Sequence, residues 1–495
     1  MRDVVDGRNR VAHKLLAHMP AIAILVVFLF VGTLYVAYTP IWQAPDEPAH
    51  YNYIRALGEG RGLPVMAPGD YDQAYLERLT AERFPPDLSI APLEYEDHQP
   101  PLYYLLATPV YWLFQGSVRA LRLFSLLLGG VAVALIFLIL REFIPDRPGV
   151  AWLGGGVVAF IPQFVAMMAS INNDALLLAL LWLWLWLALR YLRGKVSPWV
   201  LGGVAGALLL TKTTGYGVLP LTAVVLYLRY RRAGMPGRWI ASQALALFLP
   251  AVALGAVWWT RNLAVYGWPD LMGLQQHNAL VTGQPRAFDR IAQQGAIAFL
   301  IDAVRTTFRS FWGQFGWMGV VVDVRIYLGL AVFSFLTFYG ACWRLIESLR
   351  QGMRPRQRDA LILLGTAALI TFALFVGYNI TFVQHQGRYL FPALPLLALG
   401  AAFGWARLVE RRLAVGTGLA LGFAVIVMGA VGLIIGDLAV WPMALIGAAA
   451  VGLPLLAFVP QRAQGLLAGG LLVGLVALDL WCLFGFIVPL LAVSA

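Results

Sequence analysis

Two adjacent carboxylates and a histidine follow directly on the first long apolar stretch of this 495-residue chain. They lie in Ala44-Pro45-Asp46-Glu47-Pro48-Ala49-His50, just after the apolar run at 22–38. A carboxylate beside hydrocarbon is costly to keep, so a pair there points to a water-filled cavity and to proton transfer. The plainer alternative is a solvated loop with acids placed at a helix start. Polar groups recur at other apolar boundaries. They are His98 and Gln99 before Pro100-Pro101, Asn172-Asn173-Asp174, Lys212, Arg261, His277 and Gln384-His385-Gln386-Gly387-Arg388-Tyr389. Each again has a plainer reading: Asp174 as a first-turn acid, His98 as a turn cap, Lys212 and Arg388 as residues that snorkel to headgroups. Trp312 and Trp317 read as packing or aromatic belt against a sugar platform. The gathering of these groups on one membrane face carries more weight than any single member.

The elements that must position them are helices. The chain is 60% hydrophobic and only 12% charged, with a mean hydropathy of +0.75. A soluble chain of this length would carry roughly a quarter charged residues. Apolar runs near ~20 residues recur along most of the sequence. The expectation is an all-α polytopic membrane protein with about thirteen transmembrane helices. They fall at 22–38, 122–140, 150–169, 175–192, 198–210, 216–228, 239–259, 325–346, 360–381, 389–406, 413–435, 438–459 and 466–491. The run at 102–114 is short for a span and is expected to lie on the outer surface. That choice puts the basic segments 190–195, 229–238 and 344–358 on the same side as the basic N-terminal segment. This follows the positive-inside rule, with the N-terminus cytoplasmic and the polar loops outside. The net charge of +11 therefore sets orientation and implies no nucleic-acid partner. No cleavable signal pattern is expected, because the basic segment leads into a helix that stays. Cys342 and Cys482 lie in apolar runs, so no disulfide framework or zinc site is indicated. Phosphate-loop, serine-elbow and His-Glu-x-x-His patterns are absent from the sequence.

Asp46-Glu47-Pro48-Ala49-His50 after the first span, followed by His98-Gln99-Pro100-Pro101-Leu102-Tyr103-Tyr104, resembles the GT-C membrane glycosyltransferases. The branch is that of protein O-mannosyltransferases and the lipid A aminoarabinose transferase. Asn172-Asn173-Asp174, the Leu210-Thr211-Lys212-Thr213 break and Gly387-Arg388-Tyr389 also look like members of that superfamily. The resemblance implies a GT-C-like fold with a long first external loop carrying juxtamembrane helices. It implies a polyprenyl-phosphate-linked sugar as donor and inverting transfer to a lipid, glycan or protein acceptor. Asp46 matches the general base, and Glu47 would orient the acceptor or a neighbouring cation. Lys212, Arg261 and Arg388, with Tyr389, are candidates to hold the donor phosphate. His50, His98, Gln99, Asp174 and His385 would line the cavity or meet the acceptor. Two departures matter. Gln99 stands where the aminoarabinose enzyme has Lys, so phosphate binding must come from elsewhere. Asp174 stands without the paired Asp-x-Asp of oligosaccharyltransferases, which puts metal dependence in doubt. A divalent metal held by Asp46, His98 and Asp174 is the one cofactor the pattern could support.

Residues 1–410 are expected to form the catalytic module, with external loops at 42–121 and 261–324. Residues 411–495 are expected to be transmembrane scaffold. The protein is expected in the cell membrane of a prokaryote, in contact with membrane lipids, its site facing outside. Two other readings use the same cationic cavity. A transporter or flippase for a lipid-linked saccharide would show paired broken helices in two similar halves, and only the break at Thr211 is visible. A ligase for lipid-linked saccharides would differ in donor size.

Overall fold

The structure is a computed structural model that describes residues 2–144, 148–234 and 236–492. Every apolar run read from the sequence falls on a helix. Ten of these helices are long and apolar enough to cross a membrane, from Met19–Tyr38 to Gly465–Leu491. The run at 150–169 is a pair, Gly149–Ala159 and Pro162–Met168, bent by 67°. The bend has a local cause: Pro162 cannot continue the backbone ladder and holds Ile161 extended. Counted as one span, the pair makes eleven. The runs at 198–210 and 216–228 become the shorter helices Pro198–Leu209 and Val218–Ala233. The expected thirteen is thus reached only if the bent pair and both short helices cross.

The centre of the bundle is Val118–Phe143 and Asp174–Tyr191, whose apolar windows are 61% and 67% buried. Arg411–Ile435 and Val440–Ala457 are buried over only 11% and 6% of theirs, which leaves most of their apolar surface uncovered by the protein. The last helix returns to the centre, where Leu475, Cys482, Leu483, Ile487 and Leu491 join the main core. Glycine lets helices touch where no side chain would fit. A Cβ at Gly340 would press on the Gly404 carbonyl, and one at Gly404 on the Thr337 carbonyl. Without a hydrophobic drive between helices in lipid, such close backbone approach supplies the packing.

The site hangs from two polar loops. The first carries helices Glu47–Gly58 and Gln73–Ala81 and ends at helix Leu102–Leu113, too short to span. The loop has its own small core of Ala49, Met66, Tyr71, Leu79, Phe84, Leu93 and Tyr95, closed by Val281 from the second loop. The second loop carries Leu274–Leu280, Ala287–Gln294, Ala296–Trp312 and a two-stranded hairpin pairing Gln314 with Val321. Helix Ala296–Trp312 exposes Ile297, Leu300, Ile301 and Val304 while burying Ser310 and Trp312. That amphipathic pattern suits a helix lying in the membrane surface.

Candidate active site

Asp46 is the cap residue of helix Glu47–Gly58 and sits in the left-handed region, at φ 67°. Aspartate tolerates that region better than most side chains, and outliers of this kind cluster at functional sites. The conformation turns its carboxylate away from the helix. Oδ2 accepts from Arg388 Nη2 and Oδ1 accepts from the Tyr95 hydroxyl at 3.1 Å. Burial, the largest single effect, would raise the Asp46 pKa, but Arg388, His50 and Lys212 together outweigh it and hold the carboxyl below the usual range.

Arg388 is brought there by Gly387. A Cβ at Gly387 would collide with the backbone of Thr307 and Phe311, so only glycine lets this segment lie against helix Ala296–Trp312. Its N–H is taken by the Ser310 hydroxyl at 2.7 Å. The close approach made by Gly387 is thus to a helix of its own chain. The Arg388 guanidinium lies over the Tyr389 ring, 5.3 Å from its centre, and its Nε–H is buried with no partner. A buried donor left empty is costly, and it marks a place for an anionic oxygen.

A second pair completes the cluster. Lys212 Nζ lies 2.6 Å from Asp174 Oδ1. The helix break that carries Lys212 is fixed by the Pro-Pro segment: Leu102 N–H donates to the Leu210 carbonyl at 2.8 Å, and the Thr213 N–H to Gln99 Oε1 at 3.4 Å. The Asn172–Asp174 turn is fixed by the next two tyrosines. The Asn172 N–H donates to the Tyr103 hydroxyl at 3.1 Å, and Asn173 Nδ2 to the Tyr104 hydroxyl at 3.3 Å. His50 Nδ1 meets the same Tyr104 hydroxyl at 2.9 Å. Burial pushes His50 down to about 3, so it is neutral.

Glu96 was not singled out from the sequence, and it belongs here. It is half-buried, and it feels Asp46, Lys212, Arg388 and Asp174. Among the described residues its side chain has neither a hydrogen-bond nor an ion-pair partner. Burial, then the Asp46 charge, pushes its carboxyl up to about 7. Asp97, beside it, is buried with Oδ1 unpartnered and is pushed up to about 9 by burial and then by Glu94.

Glu47 faces the other way. Its carboxylate accepts from Arg122 Nε at 2.7 Å and Nη2 at 2.6 Å, and from the Ile171 and Trp42 N–H groups at 3.2 Å. Arg122 also donates to the carbonyls of Val36, Thr39 and Pro40. The expected neighbouring cation of Glu47 is therefore Arg122, a residue the sequence reading passed over as the start of a span. The signal was there: one arginine in the apolar run Leu121-Arg122-Leu123-Phe124.

The remaining candidates lie around the cluster. Arg261 lies over the Trp258 and Tyr266 rings and donates to the Pro64 carbonyl. His98 Nδ1 faces the Tyr95 carbonyl at 3.0 Å, and its ring lies 4.2 Å from that of His277. His385 packs on Phe299 and feels Asp302, away from the Asp46 carboxylate. Trp317 stacks on Phe84 and donates to the Trp42 carbonyl, which is a packing role. Asp46, His98 and Asp174 do not come together as a metal ligand set. Among the described residues no three His, Cys, Asp or Glu side chains are so placed. The two carboxylates already face Arg388 and Lys212, so the arrangement does not fit a divalent cation.

Residues 98–259 match the family of dolichyl-phosphate-mannose-protein mannosyltransferases, about a third of the chain. The match spans the Pro-Pro segment, the Asp174 turn and Lys212. It bears out the resemblance drawn from the motifs: this chain is similar to membrane glycosyltransferases of the GT-C superfamily. No curated protein matches the sequence at significance. Among solved structures, ArnT from Cupriavidus metallidurans bound to undecaprenyl phosphate shares 17% identity at a TM-score of 0.49, over 95% of this chain and 76% of that one. The Archaeoglobus fulgidus oligosaccharyltransferase tethered with an acceptor peptide shares 13% identity at a TM-score of 0.48. It aligns over 90% of this chain, which covers 55% of that protein's length.

Proposed function

We propose that this protein transfers a sugar from a polyprenyl-phosphate-linked donor to an acceptor on the extracytoplasmic side of the membrane. The observation that carries the reading is the Asp46–Arg388 pair: a carboxylate held by a guanidinium that keeps one buried N–H empty. The donor phosphate binds Arg388 through that empty donor and draws Nη2 away from Asp46. Lys212, whose charge Asp46 also feels, would share the phosphate charge. Once Arg388 turns to the phosphate, burial dominates at Asp46 and its proton affinity rises.

The step then balances. The acceptor hydroxyl or amine attacks the anomeric carbon and gives its proton to Asp46. The bond from that carbon to the phosphate oxygen breaks, and polyprenyl phosphate leaves with the electron pair. Arg388 and Lys212 stabilise the charge that develops on the leaving oxygen. Attack opposite the leaving group inverts the anomeric centre. Arg388 and Lys212 supply the neutralisation a metal would give, so transfer is expected to survive thorough chelation.

Sidedness rests on the basic loops. Asp174 opens its span and Arg190 closes it; Arg388 opens its span and Arg407 closes it. At the ends away from the site, Arg229 and Arg232 donate to the Leu192 carbonyl and Arg232 pairs with Asp359. One face thus carries the basic loops and the other the site, which by the positive-inside rule is the outer one. The test is incubation of purified protein with a panel of radiolabelled polyprenyl-phosphate sugars, with and without a cell-envelope extract. Release of polyprenyl phosphate from at least one donor is expected. No release from any donor under either condition overturns the reading.

A further inference from the structure

Outside the charge cluster, the first polar loop holds a cavity of about 610 Å³. Its walls are Tyr71, Asp72, Gln73 and Tyr75 at the start of helix Gln73–Ala81, Pro92 from later in the same loop, and Thr282 from the second loop. The walls are braced. The Tyr71 hydroxyl donates to Gln73 Oε1, the Tyr75 hydroxyl donates to the Ser89 carbonyl at 2.7 Å, and Asp72 Oδ1 caps the helix through the Tyr75 N–H. Thr282 is held opposite by Val281, which is fully buried in the core of the first loop.

One wall of the cavity packs against a neighbour of Asp46. The Tyr71 ring meets the Tyr95 ring edge-on at 5.5 Å, and the Tyr95 hydroxyl donates to Asp46 Oδ1. Tyr71 is also close enough to feel the Asp46 charge. One ring thus separates the cavity wall from the carboxylate placed as base.

The lining chooses among ligand classes. It has no lysine or arginine, so it offers nothing to a second lipid phosphate. Its hydroxyl, amide and carboxylate groups would be desolvated without return by an acyl chain. Tyr71 and Tyr75 together with Asp72, Gln73 and Thr282 in one lining suit a ligand with apolar C–H faces and many hydroxyls. The volume lies in the range of small-molecule sites, about 300–1,000 Å³.

We infer that this cavity is a subsite for a saccharide acceptor, set one aromatic ring, Tyr95, away from Asp46. The inference rests on the proposed transfer, because it names the acceptor of that reaction. Its test needs no turnover. Wild-type protein in nanodiscs is probed by saturation-transfer NMR with three tetrasaccharides: mannotetraose, maltotetraose and chitotetraose. At least one should bind. Two variants fill the cavity from opposite walls, Ala74→Trp on the exposed helix face and Thr282→Trp on the second loop. Each should raise the dissociation constant of the bound sugar by about tenfold or more. Each should leave binding of polyprenyl phosphate unchanged. No sugar binding to the wild type, or binding that survives both variants, overturns the subsite while leaving the proposed transfer standing. Loss of polyprenyl-phosphate binding in both variants also overturns it, since the cavity would then belong to the donor. Failure of every donor in the radiolabel assay, with sugar binding intact, strikes instead at the proposed reaction.

Discussion

Asp46 and Glu47 are neighbours in the chain, and each meets an arginine from a distant span, yet the two pairs are built differently. Arg122 and Glu47 are sealed, with side chains 1% and 0% exposed. All five N–H groups of Arg122 have acceptors, and both Glu47 oxygens accept twice. Arg388 and Asp46 are 4% and 23% exposed, and Arg388 keeps Nε empty. A saturated pair has no capacity left for a ligand, so Glu47–Arg122 is a fastener. It joins the end of the first span, the start of the second and the Ile171 turn. An unsaturated pair can exchange one partner for another, which a site must do. The fastener also holds the residue next to Asp46 still, so the reactive carboxylate is positioned by its inert neighbour.

The largest expected effect tests the fastener. Arg122→Ala should leave Glu47 buried without its cation, a loss of about 3–5 kcal/mol for a broken buried pair. Thermal unfolding of detergent-solubilised protein should show a clearly lower midpoint. Arg388→Ala should shift it much less. Equal shifts for the two variants would erase the distinction between the pairs.

Next in size is Asp46→Asn. Asparagine tolerates the left-handed backbone, so the local fold should survive. Donor binding should persist while turnover falls by roughly 10²-fold or more, as for a removed base. Single-turnover rates on donor-saturated protein measure this. Near-normal turnover in Asp46→Asn would make Asp46 a mere counterion of Arg388.

Arg388→Lys sharpens the same contrast from the cationic side. Lysine keeps the charge but cannot offer Nε and Nη2 together to a phosphate. Donor affinity should weaken by about 1.5–3 kcal/mol, the value of a lost charged hydrogen bond. An arginine that only snorkels would tolerate lysine without loss. Titration with polyprenyl phosphate separates the two.

How far these roles could be read from the chain alone depended on distance. Asp46, Asp174, Lys212 and Arg388 stood out because each is polar at the edge of an apolar run, which is a local pattern. Their pairing was not local: Asp46 and Arg388 meet across most of the chain, and no spacing rule relates them. All the apolar runs became helices because hydropathy alone dictates that in lipid. The bend at Ile161–Pro162 and the shortness of Pro198–Leu209 left the number of crossings open, because a run's length does not say whether a break turns it back. Glu96 was hidden by its company, one acid in an acid-rich loop. Only the fold shows that, among the described residues, it has no ion pair although it feels the Asp46 charge.

That isolation yields the smallest and most specific effect. Glu96 titrates at about 7 in the fold against an ordinary value near 4.5. Below about pH 7 it is therefore neutral, and above it anionic. The donor phosphodiester carries one negative charge throughout this range. Rising pH thus adds a repelling charge beside the bound phosphate, and the phosphate in turn favours the protonated Glu96. Donor affinity should fall as pH rises through about 7, by about tenfold for each unit that the bound phosphate raises the carboxyl. The other groups near Glu96 stay out of this window: His50 is neutral above about 3, and Asp97 stays protonated to about 9. Glu96→Gln is neutral at every pH and should bind the donor with the wild type's low-pH affinity, without the slope. Binding of the polyprenyl-phosphate sugar, a phosphodiester of constant charge, measured from pH 5.5 to pH 8.5, roughly a unit and a half either side of the transition, reads it directly. A slope that persists in Glu96→Gln would place the titrating group elsewhere and leave Glu96 a spectator of the Asp46–Arg388 exchange.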